Sequence, residues 1–390
     1  MSKPLRVAII HYWLIAMRGG ERVLERVLGQ FPEADLFTHV YDPDAVSDII
    51  RDRSVQTTFI NDLPFARRLY KYYLPLMPMA LESLDLSGYD LVLSFEAGPA
   101  KGVLAPPTAL HVCYCHSPMR YLWDAQADYR RSAGHLPRAM MSILFPPLRV
   151  WDYATAARVD GFMANSDFVR RRIHRAYGRE ATVVHPPAVV EAFQPAAQVT
   201  DEYLWVGQMT PYKRGDLAVD AFNRLGLPLH MVGDGEMQRK LKASAKSNIR
   251  FSDRLTLAEL RQAYATCRGL IYTAEEDFGI VPVEAMAAGR PVLAYGRGGV
   301  LDTLMPGRTG QVFDDQTVDS LVAAVHDFEA WLPSFEPQTA VVRAARFSGE
   351  RFDQNFMAAL RRFAVGHPEV LDRLAAPVSA PPILKELAAP

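Results

Sequence analysis

Thr273-Ala274-Glu275-Glu276-Asp277-Phe278-Gly279-Ile280-Val281-Pro282-Val283-Glu284-Ala285-Met286-Ala287-Ala288-Gly289-Arg290-Pro291 follows an apolar run, Gly269-Leu270-Ile271-Tyr272, and reads as strand, loop, helix, strand. Proline suits a first helical turn because its missing N–H would be unpaired there, and glycine suits the left-handed position just past a helix end. The helix is therefore expected to start at Pro282 and stop before Gly289. Its free N–H groups and positive dipole end would face the loop and make an anion site, most naturally for phosphate. Glu276 and Glu284 bracket that site. Carboxylates repel phosphate, so they are better suited to accept hydrogen bonds from hydroxyls. A phosphate between two polyol-reading carboxylates describes a nucleotide sugar. The spacing alone fits equally a buried turn whose second glutamate merely complements the helix dipole.

With Phe278-Gly279 between them and the Ala-Gly-Arg-Pro exit behind, Glu276 and Glu284 resemble the E-x7-E signature of the retaining GT-B glycosyltransferases of family 4. The resemblance implies that Glu276 contacts hydroxyls of the donor sugar and Glu284 holds the nucleotide ribose. It extends over nearly everything from Leu5 to Phe363. The fold it implies is α/β: two facing Rossmann-like, doubly wound domains and a C-terminal crossover helix. The expected boundaries are an acceptor-side domain over 1–187, a nucleotide-sugar domain over 188–345, the crossover helix over 346–366 and a loosely ordered tail over 367–390.

A chain of 390 residues exceeds a typical single core. With 49% hydrophobic and 22% charged residues it reads as an ordinary globular protein, and its formal net charge of -1 offers no general attraction to nucleic acid. Three cysteines without a Cys-x-x-Cys pair suggest reduced thiols rather than a disulfide framework or zinc site. Met-Ser-Lys-Pro leads straight into a strand, so a cytoplasmic location is expected.

From the N-terminus, Leu5–His11 reads as a strand, Arg18-Gly19-Gly20 as its loop and Glu21–Gly29 as a helix. Gly19 and Gly20 allow close approach to a phosphate or sugar, or simply a tight turn. No G-x-G-x-x-G follows this strand, which disfavours a nicotinamide dehydrogenase. The segment Phe65–Met77 interleaves basic and aromatic residues, and Leu136–Asp152 reads as a helical pair rich in Met, Leu, Pro and Phe. Each fits a surface on anionic lipid or ordinary core packing. His116 ends the apolar strand Leu110–Cys115 just before Pro118. Such a histidine can bond a sugar hydroxyl or share charge with a phosphate. This segment resembles bacterial O-antigen and exopolysaccharide mannosyltransferases of the same family, where a histidine here meets the donor sugar.

The second domain opens with Tyr203–Val206 and the loop Gly207-Gln208-Met209-Thr210-Pro211-Tyr212-Lys213-Arg214-Gly215. The family carries an Arg here and a Lys five residues later to neutralise the donor diphosphate. Lys213 matches the Lys, while Gln208 stands in the Arg position and supplies no cationic fork. Either Arg214 compensates for it, or the donor phosphates rely more on the helix N–H groups. Gly233 sits in a Gly-Asp-Gly turn at the same rim, and the resemblance places the base near Arg254.

The reading is a retaining hexosyltransferase. His116, Lys213 and Glu276 are the catalytic set; Gly19, Gly20, Gln208, Lys213, Arg214, Gly233, Arg254, Glu276, Phe278, Gly279, Ile280, Val281 and Glu284 bind the donor. The resemblance favours GDP-mannose as donor and a lipid-linked or growing oligosaccharide as acceptor, with peripheral contact to anionic membrane. No cofactor or metal is expected, since the recognised motifs contain no Asp-x-Asp. The alternatives are a nucleotide-sugar epimerase of related fold, or a non-catalytic binding subunit, the latter motivated by Gln208.

Overall fold

The computed structural model describes residues 4–374. Among these the chain separates into two compact units, one running to Pro186 and resuming at Phe352, the other spanning Pro187–Arg351.

The first unit holds seven strands: β1 (Val7–His11), β2 (Asp35–Thr38), β3 (Val55–Thr57), β4 (Leu91–Glu96), β5 (Leu110–Cys115), β6 (Gly161–Ala164) and β7 (Ala181–Val183). They lie in the order β3-β2-β1-β4-β5-β6-β7, every pair parallel. The central strands β1, β4 and β5 are buried along their whole length, the pattern required of a parallel sheet covered on both faces. The second unit repeats the plan with β8 (Tyr203–Val206), β9 (Leu229–Val232), β10 (Ile249–Ser252), β11 (Leu270–Tyr272), β12 (Val292–Tyr295) and β13 (Gly310–Phe313). Their order is β10-β9-β8-β11-β12-β13, again all parallel. Both sheets reverse direction of winding beside their first strand, at β1/β4 and at β8/β11. Loops leaving the carboxyl ends of those neighbouring strands diverge, which opens a crevice in each unit.

Several helices correct the sequence expectations. Helix α1 (Gly19–Gln30) takes Gly19 and Gly20 into its first turn, with Arg18 as N-cap, instead of leaving them in the loop. Burial of Val23, Leu24, Val27 and Leu28 on one face anchors it there. Leu136–Asp152 is one helix, α2 (His135–Thr155), rather than a pair. Pro146 and Pro147 lie inside it, and the inward packing of Phe145 and Leu148 outweighs the two missing amide bonds. Helix α3 (Asp167–Tyr177) is capped by Ser166, whose Oγ accepts the Val169 N–H at 3.1 Å. Helix α4 (Ile280–Ala287) begins two residues before Pro282, with Gly279 as its N-cap. The last long helix, α5 (Gly349–Phe363), packs Phe352, Phe356, Met357 and Leu360 into the first unit's core. Beyond it the chain is still helical at Pro368–Leu371, inside the span expected to be loosely ordered. The rest of that expected tail, 375–390, lies outside the described residues.

Candidate functional site

In the second unit the β8/β11 crevice is stitched together by main-chain and side-chain bonds. Thr273, just after β11, accepts the Trp205 Nε1–H at 3.1 Å and donates its hydroxyl to the Lys213 carbonyl at 2.8 Å. Gln316 Nε2 donates to the Thr273 carbonyl at 2.8 Å. The loop after β8 is thereby held against the loop after β11, and Lys213 Nζ forms an ion pair with Glu276. Glu276 also accepts the Tyr272 hydroxyl. Burial first, then the Glu276 charge, raises the Tyr272 phenol well above its ordinary value, so it remains a donor.

Gly279 connects this pair to α4. Its φ of 86° lies in the left-handed region, and a Cβ there would stand 2.8 Å from the Tyr272 hydroxyl. The loop can therefore enter the helix only through glycine. Ile280 and Val281 open α4 and are partly exposed. One turn on, Glu284 accepts the Tyr264 hydroxyl at 2.8 Å. Tyr264 is fully buried, and burial together with Glu284 keeps its phenol protonated. The turn after β12, Gly296-Arg297-Gly298-Gly299, closes the same rim, the Gly299 N–H donating to the Glu276 carbonyl at 2.8 Å. Glu276, Glu284 and the α4 mouth are thus assembled on one crevice edge. Phe278 differs from its neighbours: its ring is buried against Phe347 at 5.6 Å, which leaves only its main chain for a ligand.

The outer rim is less charged than the sequence suggests. Gln208 is exposed, and its carbonyl accepts the Thr210 N–H at 2.8 Å. Arg214, the candidate substitute cation, donates Nε to Asp216 at 3.2 Å. Arg254 donates to Asp234 at 3.0 Å, which offsets its charge. Gly233 has φ 132°, and a Cβ there would lie 2.1 Å from the Gly207 carbonyl oxygen, so the loops after β8 and β9 touch backbone to backbone. Tyr264 and Tyr272 escaped sequence reasoning. Tyr272 reads as an ordinary apolar strand residue, and Tyr264 lies on a preceding helix with no spacing relation to Glu284.

His116, Gly19 and Gly20 belong to the first unit and cluster at its β1/β4 crevice. The His116 N–H donates to the Glu96 carbonyl at 2.7 Å, and Asn165 Nδ2 donates to the His116 carbonyl at 2.9 Å. Its Nε2 is shielded from solvent without a protein partner. That atom lies 3.5 Å from where a Cβ on Gly20 would stand, and the Tyr12 hydroxyl 2.7 Å from the same point. Beneath it, His11 Nε2 meets Glu21 Oε1 at 3.3 Å, and Glu21 Oε2 accepts the Arg18 N–H at 2.9 Å. Burial pushes the Glu21 carboxyl up, but the bond and charge of His11 more than reverse this and leave it below its ordinary value. Burial, reinforced by His11, lowers the His116 imidazole to about 3 despite an opposing pull from Glu21. Neutral imidazole forms hydrogen bonds but carries no charge.

Comparison with known proteins agrees with this geometry. Residues 17–191 match the family described as Glycosyltransferase Family 4, and residues 200–329 the family described as Glycosyl transferases group 1. Between them they take in both sheets and both crevices. The chain belongs to glycosyltransferase family 4. Among its relatives, a D-inositol 3-phosphate glycosyltransferase of Mycobacterium marinum is 28% identical over 57% of this chain, which spans about half (54%) of that protein's length. The alpha-1,3/1,6-mannosyltransferase alg2 of Schizosaccharomyces pombe is 26% identical over 79% of this chain and 70% of its own. In structure, the chain is similar to the sucrose-phosphate synthase of Thermosynechococcus elongatus, with a TM-score of 0.68, 17% identity, and 93% and 100% of the two chains covered. The fold is GT-B, two Rossmann-like α/β domains. Among the described residues of this family 4 chain, no cluster of three His, Cys, Asp or Glu could hold a metal ion, and no helix is long and apolar enough to cross a membrane.

Proposed function

We propose that this protein transfers a hexose with retention of configuration, mannose from GDP-mannose, to a lipid-linked or growing glycan. The Lys213–Glu276 pair beside the mouth of α4 carries the reading, because it sets a cation and a hydroxyl acceptor next to free helix N–H groups. The mannosyltransferase among the relatives supports the choice of sugar. In this reading Glu276 accepts donor-sugar hydroxyls, Glu284 the ribose hydroxyls, and Lys213 with the Ile280 and Val281 amides stabilises the departing diphosphate. The leaving phosphate takes the acceptor proton on the same face of the sugar, and His116 bonds a sugar hydroxyl as a neutral ring. Arg254 and Gly233 line the base. These groups neutralise the diphosphate without a metal, so activity is expected to survive EDTA.

Calorimetric titration with GDP-mannose, UDP-glucose and ADP-glucose tests the donor. GDP-mannose should bind at least ~10-fold more tightly than the others, a difference of about 1.4 kcal/mol. Tighter binding of another nucleotide sugar would remove mannose from the proposal. The weak cationic rim at Gln208 favours one second reading, a binding-only subunit: tight GDP-mannose binding without product under every acceptor tried would establish it.

We further propose that the first unit rests on anionic membrane, where a lipid-linked acceptor would lie. Leu136, Met140, Ile143, Val150 and Tyr153 form one outward stripe of α2, with Ile143 73% exposed. Leu74 packs into the cluster beneath α2, which brings the exposed Phe65, Tyr72 and Met79 segment alongside. Arg68, Lys71 and Arg138 lie in the same two regions, and Arg131 in the short helix Gln126–Ser132 just before α2. An amphipathic surface of this kind gains from apolar insertion and about 1 kcal/mol per basic residue near anionic headgroups. Sedimentation with vesicles of 30% phosphatidylglycerol is expected to capture the protein, while pure phosphatidylcholine captures little. Ile143→Asp with Val150→Asp should cut capture at least ~10-fold; unchanged capture would refute the assignment.

A further inference from the structure

Arg290 ends the loop between α4 and β12, at the opposite end of that helix from the Ile280 mouth. It is only 7% exposed, yet among the described residues no carboxylate lies within ion-pair distance of it. Its side chain donates Nε to the Gly289 carbonyl at 2.8 Å, and its main-chain N–H donates to the Ala285 carbonyl at 2.9 Å. The nearest ionisable neighbour, Cys267, supplies no countercharge, because burial pushes its thiol up to about 12. Burial also pulls the Arg290 guanidinium below its ordinary value. A buried cation without a countercharge is costly, and arginine remains charged all the same.

Arg290 lines an open cavity of about 340 Å³. Arg268 and Glu329 form one wall and satisfy each other, Arg268 Nε reaching Glu329 Oε1 at 2.6 Å while Asp201 takes Arg268 Nη1 at 3.2 Å. The remaining walls are apolar, chiefly Pro291, Leu332 and Phe335. Neither the nucleotide-sugar rim nor its tyrosines take part. The volume lies within the range of small-molecule sites, and such sites combine apolar walls with a few polar groups that fix orientation.

We propose that this cavity is a binding site for a small aryl or alkyl carboxylate, whose charged end pairs with Arg290 and whose apolar body lies against Phe335 and Leu332. Arginine presents a planar donor fork that matches a carboxylate, and partial desolvation strengthens the pair. A neutral isostere would leave the guanidinium unsatisfied, so charge should dominate selectivity. Arg268 adds no free cation, which limits the ligand to one carboxylate.

The probe is sodium benzoate against the full chain, followed by calorimetry and saturation-transfer NMR, with benzyl alcohol as the neutral isostere. Benzoate is expected to bind one site per chain with a Kd of about 1 mM or tighter. Benzyl alcohol, and benzoate against Arg290→Gln, should each bind at least ~10-fold more weakly. Phe335→Ala, a change in a half-exposed wall, provides a second variant should Arg290→Gln fail to fold, and should weaken benzoate about 5-fold. Equal affinity for benzoate and benzyl alcohol, equal affinity across the variants, or displacement of benzoate by GDP-mannose would each overturn the site. The outcome is separate from the glycosyl-transfer reading, since benzoate binding is measured without donor or acceptor.

Discussion

Under the proposed glycosyl transfer, Lys213→Ala is expected to lower turnover by about 10²–10³-fold, the usual loss when one preorganised group is removed from developing transition-state charge. Donor KM should change much less, because Glu276, Glu284 and the α4 amides remain. The basis is local. Lys213 is anchored through its carbonyl by Thr273 and through its ammonium by Glu276, so its position does not depend on ligand contacts alone. Neither Gln208 nor Arg214 replaces it: the first is uncharged, and the second already pairs with Asp216. Initial rates of GDP-mannose turnover across donor concentrations separate the two parameters. A loss confined to KM would make Lys213 a uniform binder instead of a stabiliser of the leaving group.

The second large effect concerns stability. At the carboxyl end of β4, Lys101 Nζ donates to Glu96 Oε1 at 2.9 Å and to Asp152 of α2, and all three side chains are at most 1% exposed. Trp123 Nε1 donates to Asp152 at 2.7 Å, and the Tyr177 hydroxyl lies 3.0 Å from Glu96 Oε1. Lys101→Met would leave two buried carboxylates facing each other, and should cost about 3–5 kcal/mol, a large part of a domain's usual 5–15 kcal/mol. Thermal melts of the full chain measure this as an early transition of the first unit. Adding Glu96→Gln to Lys101→Met removes one of those charges and should recover part of the loss.

The same cluster predicts a pH slope. Burial raises the Glu96 carboxyl to about 7; Lys101 opposes the rise and Asp152 adds to it. Between about 4.5 and 7 the native state therefore binds more protons than the unfolded chain. Stability from this group is present at the acidic side and is lost as pH climbs through that window. Lys101 is raised above its ordinary value, so its contribution holds through neutral pH and disappears only in strong alkali. Melts at pH 5, 6 and 7.5 should show a decline in the wild type that Glu96→Gln flattens relative to it; parallel curves would contradict the assignment.

Much of this was legible in the chain itself. The largely apolar runs at 91–95 and 110–115, broken only by Ser94 and His111, declare buried parallel strands, because covering on both faces leaves no room for alternation. The Glu276 to Glu284 spacing, the glycine before the helix and the basic residue at 213 are local features of sequence, and the structure gathers them at the β8/β11 crevice. Other elements were decided by energies that local sequence does not carry. The α4 start moved to Ile280 because Gly279 alone fits a left-handed turn beneath the Tyr272 hydroxyl. Pro146 and Pro147 did not divide α2, since apolar packing on its inner face outweighed the missing bonds.

By itself, then, the sequence determined the strands, the repeated α/β plan and the residue types at the rim, all of which follow from burial pattern and short-range backbone chemistry. Only the tertiary structure decided which side chains meet: Lys213 with Glu276, Tyr264 with Glu284, and Lys101 between Glu96 and Asp152. It also decided that His116 is neutral and that Arg290 lacks a carboxylate among the described residues. Charge state and pairing depend on desolvation and on neighbours distant in the chain, which are brought together when the sheet order reverses at β1/β4 and β8/β11.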